Sequence, residues 1–460
     1  MARYGWLVLL GAASALTTAA LGARAVRAEG EAPPESPEPL LAEGPIRAAV
    51  RAGASAGREA PSLDSFLSPL TPEVVAHLRE VAARVPNRRD DVFAKLGDSA
   101  TVNRGFLRCF ARADEVALHD HADLAETIAF FRDGNAGGRD PYRRDSMAAK
   151  VGWSAHNVLK GHPSPLLREV RAISPRFAVV MFGTNDIEMK RPQVFADRMR
   201  AIVDALTARG VIPILSSVTP RNSDADADRL VPTYGRIVEA IARARQVPFI
   251  DLHAALAALP DRGLMSDGVH PSTYIEGNSL RGCDFGPEGL RFGQNVRNLL
   301  TMRMLHRLRR AVVEGEPAPD PSVPPPAGAG TASDPVRVER LPFAVMDTTA
   351  GADASIGRYD CDASKDESGP ERVYRLRVGE PMRLRVQVLH RHADVDVHLL
   401  GARAVGAQCE ARADSELVVD VPAGIHHVAV DTFVPEGGEA APGEYVLLLE
   451  PAPDAEPAAD

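Results

Sequence analysis

Three short clusters in this 460-residue chain have the residue types for nucleophilic catalysis: Gly97-Asp98-Ser99, Gly183-Thr184-Asn185-Asp186 and Asp267-Gly268-Val269-His270. A serine hydroxyl is a poor nucleophile until an imidazole takes its proton, and the imidazole needs a carboxylate to fix its tautomer and stabilise its charged form. Asp267 and His270, three residues apart on one loop, can supply both to Ser99. The oxyanion of an acyl-transfer step then needs donors aimed at it, each worth about 3 kcal/mol of barrier. The Asn185 amide and the Ser99 backbone N–H are suitable, and a helix starting after Ser99 adds its positive end. Each cluster alone has a plainer explanation, because Asp, Ser and Asn after a strand commonly cap the next helix.

The elements around them decide between these readings. Val92 to Leu96, Phe177 to Phe182, Val211 to Val218 and Val247 to Asp251 are apolar runs of strand length, and Arg191 to Arg209, Tyr234 to Gln246 and Pro287 to Val313 have helical character. Continuous apolar strands alternating with helices imply an α/β fold, a parallel sheet covered on both faces. Ligands of such sheets sit beyond the carboxyl ends of the strands. Ser99 and Asn185 each follow a strand, and the Asp267-His270 loop comes between the last strand and the closing helix, so all three can meet at that edge.

In this order and context the clusters resemble the SGNH (GDSL-type) hydrolases, over roughly Asp91 to Val312. The fourth block of that family is a glycine, matched by Gly152 in Lys150-Val151-Gly152-Trp153-Ser154. The resemblance implies a three-layer α/β/α, flavodoxin-like domain with Ser99 as nucleophile, His270 as base and Asp267 as its orienting acid. It also implies Ser99, Gly152 and Asn185 as oxyanion donors and no cofactor. Gly134, Gly137 and Gly138 compete with Gly152, which is preferred because a helix-like segment follows it. Two departures stand out. Ala100 replaces the usual leucine, and residues 272–286 intervene before the closing helix, read as a flap beside the site.

Other features are weighed against these. Gly53-Ala54-Ser55-Ala56-Gly57 satisfies G-x-S-x-G, but no strand precedes it; Ser154 is read as loop structure. Residues 1–28 carry an early Arg, an apolar run and small residues, the pattern of a cleaved secretory signal, with an uncleaved anchor as the alternative. Export makes disulfides plausible for Cys109, Cys283, Cys361 and Cys409. Cys361 with Cys409 is favoured because both lie in one C-terminal segment, leaving Cys109 for Cys283. No CxxC spacing points to zinc. A net charge of -9 without a concentrated basic face argues against nucleic acid, and Arg303 to Arg310 is read as the solvated face of a helix.

The expected organisation is a signal at 1–28, a disordered spacer at 29–62, the hydrolase domain at 63–313, a Pro-rich linker at 314–340, a β-sandwich at 341–451 and a tail at 452–460. Six short alternating runs between Arg375 and Leu449 support the sandwich. Its Asp366 to Tyr374, Ala393 to His398 and Pro422 to Val428 segments resemble bacterial pre-peptidase C-terminal (PPC-like) domains, accessory modules of secreted enzymes. His390, His392, Asp394, Asp396 and His398 alternate as an outward strand face does, so solvated polar residues are expected there and no metal; calcium on the local Asp residues is the alternative. The expectation is a secreted or periplasmic/cell-surface serine esterase acting on a small-molecule or polysaccharide acyl ester, with no nucleic-acid partner and no stable membrane insertion after signal removal. O-acyl groups on carbohydrate are the favoured substrate. An acyltransferase with the same residues and an inert glycan-binding surface protein are the rivals.

Overall fold

Four apolar segments, β1 (Arg89–Gly97), β2 (Pro175–Met181), β3 (Ile212–Ser216) and β4 (Phe249–Ile250), pair in parallel in that order. The computed structural model describes residues 62–452. Every residue of β2 and β3 is buried, as expected for strands covered on both faces. On the other side of β1 the sheet gains one parallel bridge, Gly97 to Ala149, made by Gly97 N–H to Ala148 O and Lys150 N–H to Gly97 O. This rudimentary strand, second in sequence but outside β1, puts the reversal of strand order between β1 and β2, the crevice where doubly wound sheets bind ligands.

The connecting helices are α1 (Pro72–Ala83), α2 (Ser99–Val102), α3 (Ala125–Arg132), α4 (Ala155–Leu159), α5 (Pro165–Ile173), α6 (Thr184–Glu188), α7 (Pro192–Thr207), α8 (Ala225–Ala244), α9 (Leu252–Ala257) and α10 (Gly293–Leu308). The helix expected from Pro287 begins six residues later, because Gly289–Arg291 forms a tighter turn first. α10 is buried nearly all round, including Gln294, Asn295, Arg297 and Asn298. The basic run at its end is not a solvated face. Arg303 pairs with Asp64 and Arg307 with Asp320, so both clamp neighbouring segments. Asp320 also accepts the Leu70 N–H, which fastens the proline-rich connection at 314–335 along the domain.

Nine strands follow: β5 (Val336–Val338), β6 (Phe343–Thr348), β7 (Glu371–Val378), β8 (Met382–His390), β9 (Val395–Leu400), β10 (Cys409–Ala413), β11 (Glu416–Val421), β12 (Gly424–Thr432) and β13 (Glu444–Pro451). They form two sheets, ordered β6-β13-β8-β11 and β10-β9-β12-β7-β5, antiparallel except for β7 with β5. Apolar side chains from both inner faces make the core of a β-sandwich. The outer face of the first sheet packs on the α/β domain, where Met346, Leu389, Val446 and Leu448 join the α/β core. Arg236 with Glu450 and Arg245 with Glu444 edge this contact.

The second sheet corrects one expectation. Asp396 and His398 are buried, not solvated, because the chain at 349–369 folds over the outer face of β9 and lays Tyr359 flat on His398, ring centroids 3.7 Å apart. His392 and Asp394, before the strand, are exposed. The cysteines pair Cys109–Cys283 and Cys361–Cys409, so the thiolates that a Cys361, His398 and Cys409 metal group would need do not exist.

Candidate active site

Ser99 opens α2 at the carboxyl end of β1. Asp98 caps that helix, its Oδ1 accepting the Ala100 N–H at 3.0 Å. The strand can turn so sharply only because residue 97 is glycine: a Cβ there would lie 2.1 Å from Thr101 Oγ1 and 2.7 Å from the Met181 carbonyl oxygen. Beneath the turn, the buried Arg297 of α10 donates to Ala100 O at 2.7 Å and Thr101 Oγ1 at 3.2 Å, with its guanidinium over the Phe106 ring.

The loop after α9 brings His270 to Ser99. His270 Nε2 lies 2.7 Å from Ser99 Oγ, and His270 Nδ1 lies 2.7 Å from Asp267 Oδ2. The other Asp267 oxygen accepts the Val269 and His270 N–H groups at 2.9 and 3.0 Å, an Asx turn that presets the carboxylate against the ring. Gly268 makes this turn fit: its φ is +67°, and a Cβ would meet Ser223 N at 2.7 Å. Desolvation raises the Asp267 pKa, but these two N–H groups and the imidazole outweigh it and hold the carboxyl below its usual range. Thr219 Oγ1 donates to Val269 O, and Gln294 N–H at the start of α10 donates to Ser272 O. The loop is therefore anchored on both sides.

The candidate oxyanion donors come from the two neighbouring strand ends. Gly152 lies just beyond the Ala149 bridge, exposed, at φ +75°. Among the described residues neither its N–H nor that of Ser99 has an acceptor. Asn185 Nδ2 donates to Trp153 O at 2.9 Å with one of its two hydrogens, leaving the other for a ligand. The competing Gly134 packs on Asp91 near the start of β1, and Gly137 on Arg144 and Ile173, at the opposite end of the sheet. Ser154 precedes α4 and donates to Asn157 Oδ1 through both N–H and Oγ, as loop structure does. The Gly53 to Gly57 motif lies outside the described residues.

Sequence reasoning assigned no part to the groups behind these donors. Both Asp186 oxygens accept the Ala155 N–H at 3.1 Å, so Asn185 and Asp186 together tie the Gly152 loop to the end of β2. Burial, reinforced by nearby Asp98, pushes the Asp186 carboxyl up to about 7, and burial raises Asp98 too against the pull of Arg297. Desolvation lowers Arg297 to about 10. The available signal was the acid that ends Gly183-Thr184-Asn185-Asp186 and an arginine within the segment read as the closing helix.

The insertion at 272–286 stands beside this site. Tyr274 stacks on Phe292, Asn295 Nδ2 donates to Arg281 O and Asp284 O, and Cys283 is bonded to Cys109, so its base is fixed. Its tip, Ile275–Glu276 paired with Ser279–Leu280, is exposed. Exposed Val151, Met189 and Met265 lie on the other loops that carry candidate residues.

A serine, an imidazole and a carboxylate in one hydrogen-bonded line beyond the carboxyl edge of a parallel sheet are the apparatus of acyl-transferring hydrolases. Residues 96–274 match the GDSL-like lipase/acylhydrolase family model, and the domain they form belongs to that family, as an SGNH-type carboxylic ester hydrolase. No curated protein matches the chain. Among solved structures, a GDSL-like lipase from Bacteroides thetaiotaomicron is similar at 16% identity and a TM-score of 0.30, covering 50% of this chain and 98% of its own. A catalytic mutant of an acetylxylan esterase from Geobacillus stearothermophilus is similar at 16% identity and a TM-score of 0.31, covering 46% of this chain and 93% of its own.

Proposed function

We propose that the protein is a secreted serine esterase that removes O-acyl groups from carbohydrate through an acyl-enzyme on Ser99. The observation that carries this reading is the unbroken line from Ser99 Oγ through His270 to Asp267, both contacts at 2.7 Å. Ser99 Oγ attacks the acyl carbon as its proton passes to His270 Nε2. The oxyanion that forms accepts from the Ser99 and Gly152 N–H groups and from Asn185 Nδ2. Collapse breaks the ester bond, His270 returns its proton to the departing alcohol, and the acyl group stays on Ser99. Water, deprotonated by His270, then attacks the acyl carbon, releasing the acid and restoring the Ser99 hydroxyl. Two disulfides support export, because such bonds persist in oxidising compartments.

The test is acetate release from a partially acetylated polysaccharide by wild type and Ser99→Ala. Release that depends on Ser99 supports the reading, and release equal to the enzyme-free blank contradicts it. A second substrate class, esters with longer apolar acyl chains, is favoured by exposed Val151, Met189, Met265, Ile275 and Leu280 on the flanking loops. A 4-nitrophenyl ester series distinguishes the two: kcat/KM falling beyond acetate fits the first, and kcat/KM rising with chain length fits the second.

A further inference from the structure

Two aromatic side chains from different helices back the turn that carries Asn185. Tyr234, on α8, donates its hydroxyl to the Asp186 carbonyl oxygen at 3.3 Å, and its ring lies against that of Phe195 on α7, centroids 4.7 Å apart. Phe195 Cζ stands 3.5 Å from where a Gly183 Cβ would be. Both side chains are 1% exposed. A buried phenol hydroxyl has to find an acceptor, so the place of α8 bears on the place of the Asp186 carbonyl and of the adjoining Asn185 amide.

The α/β domain does not hold these two helices alone. Next to Tyr234, Thr233 Oγ1 donates to Glu450 Oε2 at 3.2 Å, and Arg236 Nε donates to Glu450 Oε1 at 2.6 Å. Two residues either side of Phe195, Gln193 donates to the His390 carbonyl oxygen and Asp197 Oδ2 accepts from Arg391 at 2.5 Å. Glu450 on β13, His390 on β8 and Arg391 just after it all belong to the sandwich. Glu450 and Asp197 are buried, so removing a partner costs more here than at an exposed ion pair.

We propose that the β-sandwich is part of the catalytic unit: by gripping α7 and α8 at the residues flanking Phe195 and Tyr234, it fixes the turn that carries Asn185, with Tyr234 as the positioning residue that passes the constraint on. The inference rests on the esterase reading, in which Asn185 is an oxyanion donor. Coupling of this kind shows itself as non-additivity between substitutions.

A double-mutant cycle on the full chain tests it. Tyr234→Phe keeps the ring and removes only the hydroxyl, and Glu450→Gln keeps the shape and removes the charge. On 4-nitrophenyl acetate, Tyr234→Phe is expected to lower kcat about three- to tenfold at unchanged KM, as loss of one neutral hydrogen bond allows, and Glu450→Gln to lower it in the same sense. In an Asn185→Ala background both effects should vanish, because Asn185 is the group through which they act. Circular dichroism checks each fold; should Glu450→Gln not fold, Arg391→Met, which releases Asp197 from the sandwich, takes its place. Variants that are less stable in urea but keep the wild-type kcat when folded overturn the proposal, as does a Tyr234→Phe effect undiminished by Asn185→Ala.

A second readout needs no turnover. In a Trp6→Phe background Trp153, whose carbonyl oxygen Asn185 holds, is the only tryptophan. Its quenching by acrylamide should rise in Tyr234→Phe and in Glu450→Gln, and unchanged quenching in both overturns the proposal. A wild type without Ser99-dependent hydrolysis contradicts the esterase reading instead, and the quenching then decides whether the sandwich holds the turn.

Discussion

Asn185 donates to the carbonyl oxygen of Trp153 at 2.9 Å, which joins the turn after β2 to the loop that carries Gly152. The same side chain is a candidate oxyanion donor, so under the proposed mechanism it both builds and serves the hole. Replacing it should act on the transition state more than on substrate binding. Asn185→Ala is expected to lower kcat about 10²- to 10³-fold with a small change in KM, measured on 4-nitrophenyl acetate. A rise in KM at unchanged kcat would contradict the assignment.

The acids behind the site should not contribute equally with the nucleophile and base. Asp267 is 45% exposed at its side chain while His270 is 29% exposed, so water can partly replace the carboxylate. Ser99→Ala and His270→Ala are each expected to lose about 10⁴- to 10⁶-fold in kcat, and Asp267→Asn at least tenfold less. Steady-state kinetics of the three variants gives the order directly.

Asp186 makes stability pH-dependent. Its carboxyl is raised from 3.8 to about 7 in the fold, so between these values the folded state keeps a proton that the unfolded chain has released. The stabilisation is complete below about pH 4 and is lost as pH rises through about 7. Asp186→Asn mimics the protonated form and can still accept from Ala155 N–H. Relative to wild type it should gain stability from pH 4.5 to 7.5, by about 3 kcal/mol, in urea melts at the two pH values. A constant difference would remove Asp186 from this role.

The disulfide Cys109–Cys283 spans 174 residues and holds the base of the insertion beside His270. Cys109→Ser with Cys283→Ser is expected to cost about 2–5 kcal/mol in denaturant unfolding. Asn295 and Asn298 still fasten the insertion to α10 through Arg281 O, Asp284 O and Gly282 O. Esterase activity below the unfolding transition should therefore fall less than tenfold.

The α/β architecture was legible because buried parallel strands are continuous apolar runs: all four expected strands are present, with ends shifted by a few residues. α8 was read from Tyr234 but begins at Ala225, because Pro232 inside it counts locally as a breaker while packing holds the helix together. β5, β6 and β10 were not read, since their half-exposed residues give little apolar signal. The Ser99, Asn185 and Asp267-His270 clusters were readable because each lies where a strand or the last loop reaches the sheet edge. The roles of Asp186 and Arg297 depend on partners far away in sequence, Ala155 and Ala100, which no local pattern reveals. Burial of Asp396 and His398 was equally hidden, because strand alternation does not show that a later-placed segment covers the outer face.

A Ser99 hydroxyl activated by His270 should react with electrophiles that an ordinary serine does not. Intact mass after treatment with a fluorophosphonate probe tests it most directly, comparing wild type with Ser99→Ala and with His270→Ala. One covalent adduct on wild type, none on Ser99→Ala and strongly slowed labelling of His270→Ala are the expected results. A folded wild-type protein that takes up no probe, or a Ser99→Ala variant that still does, would contradict the account.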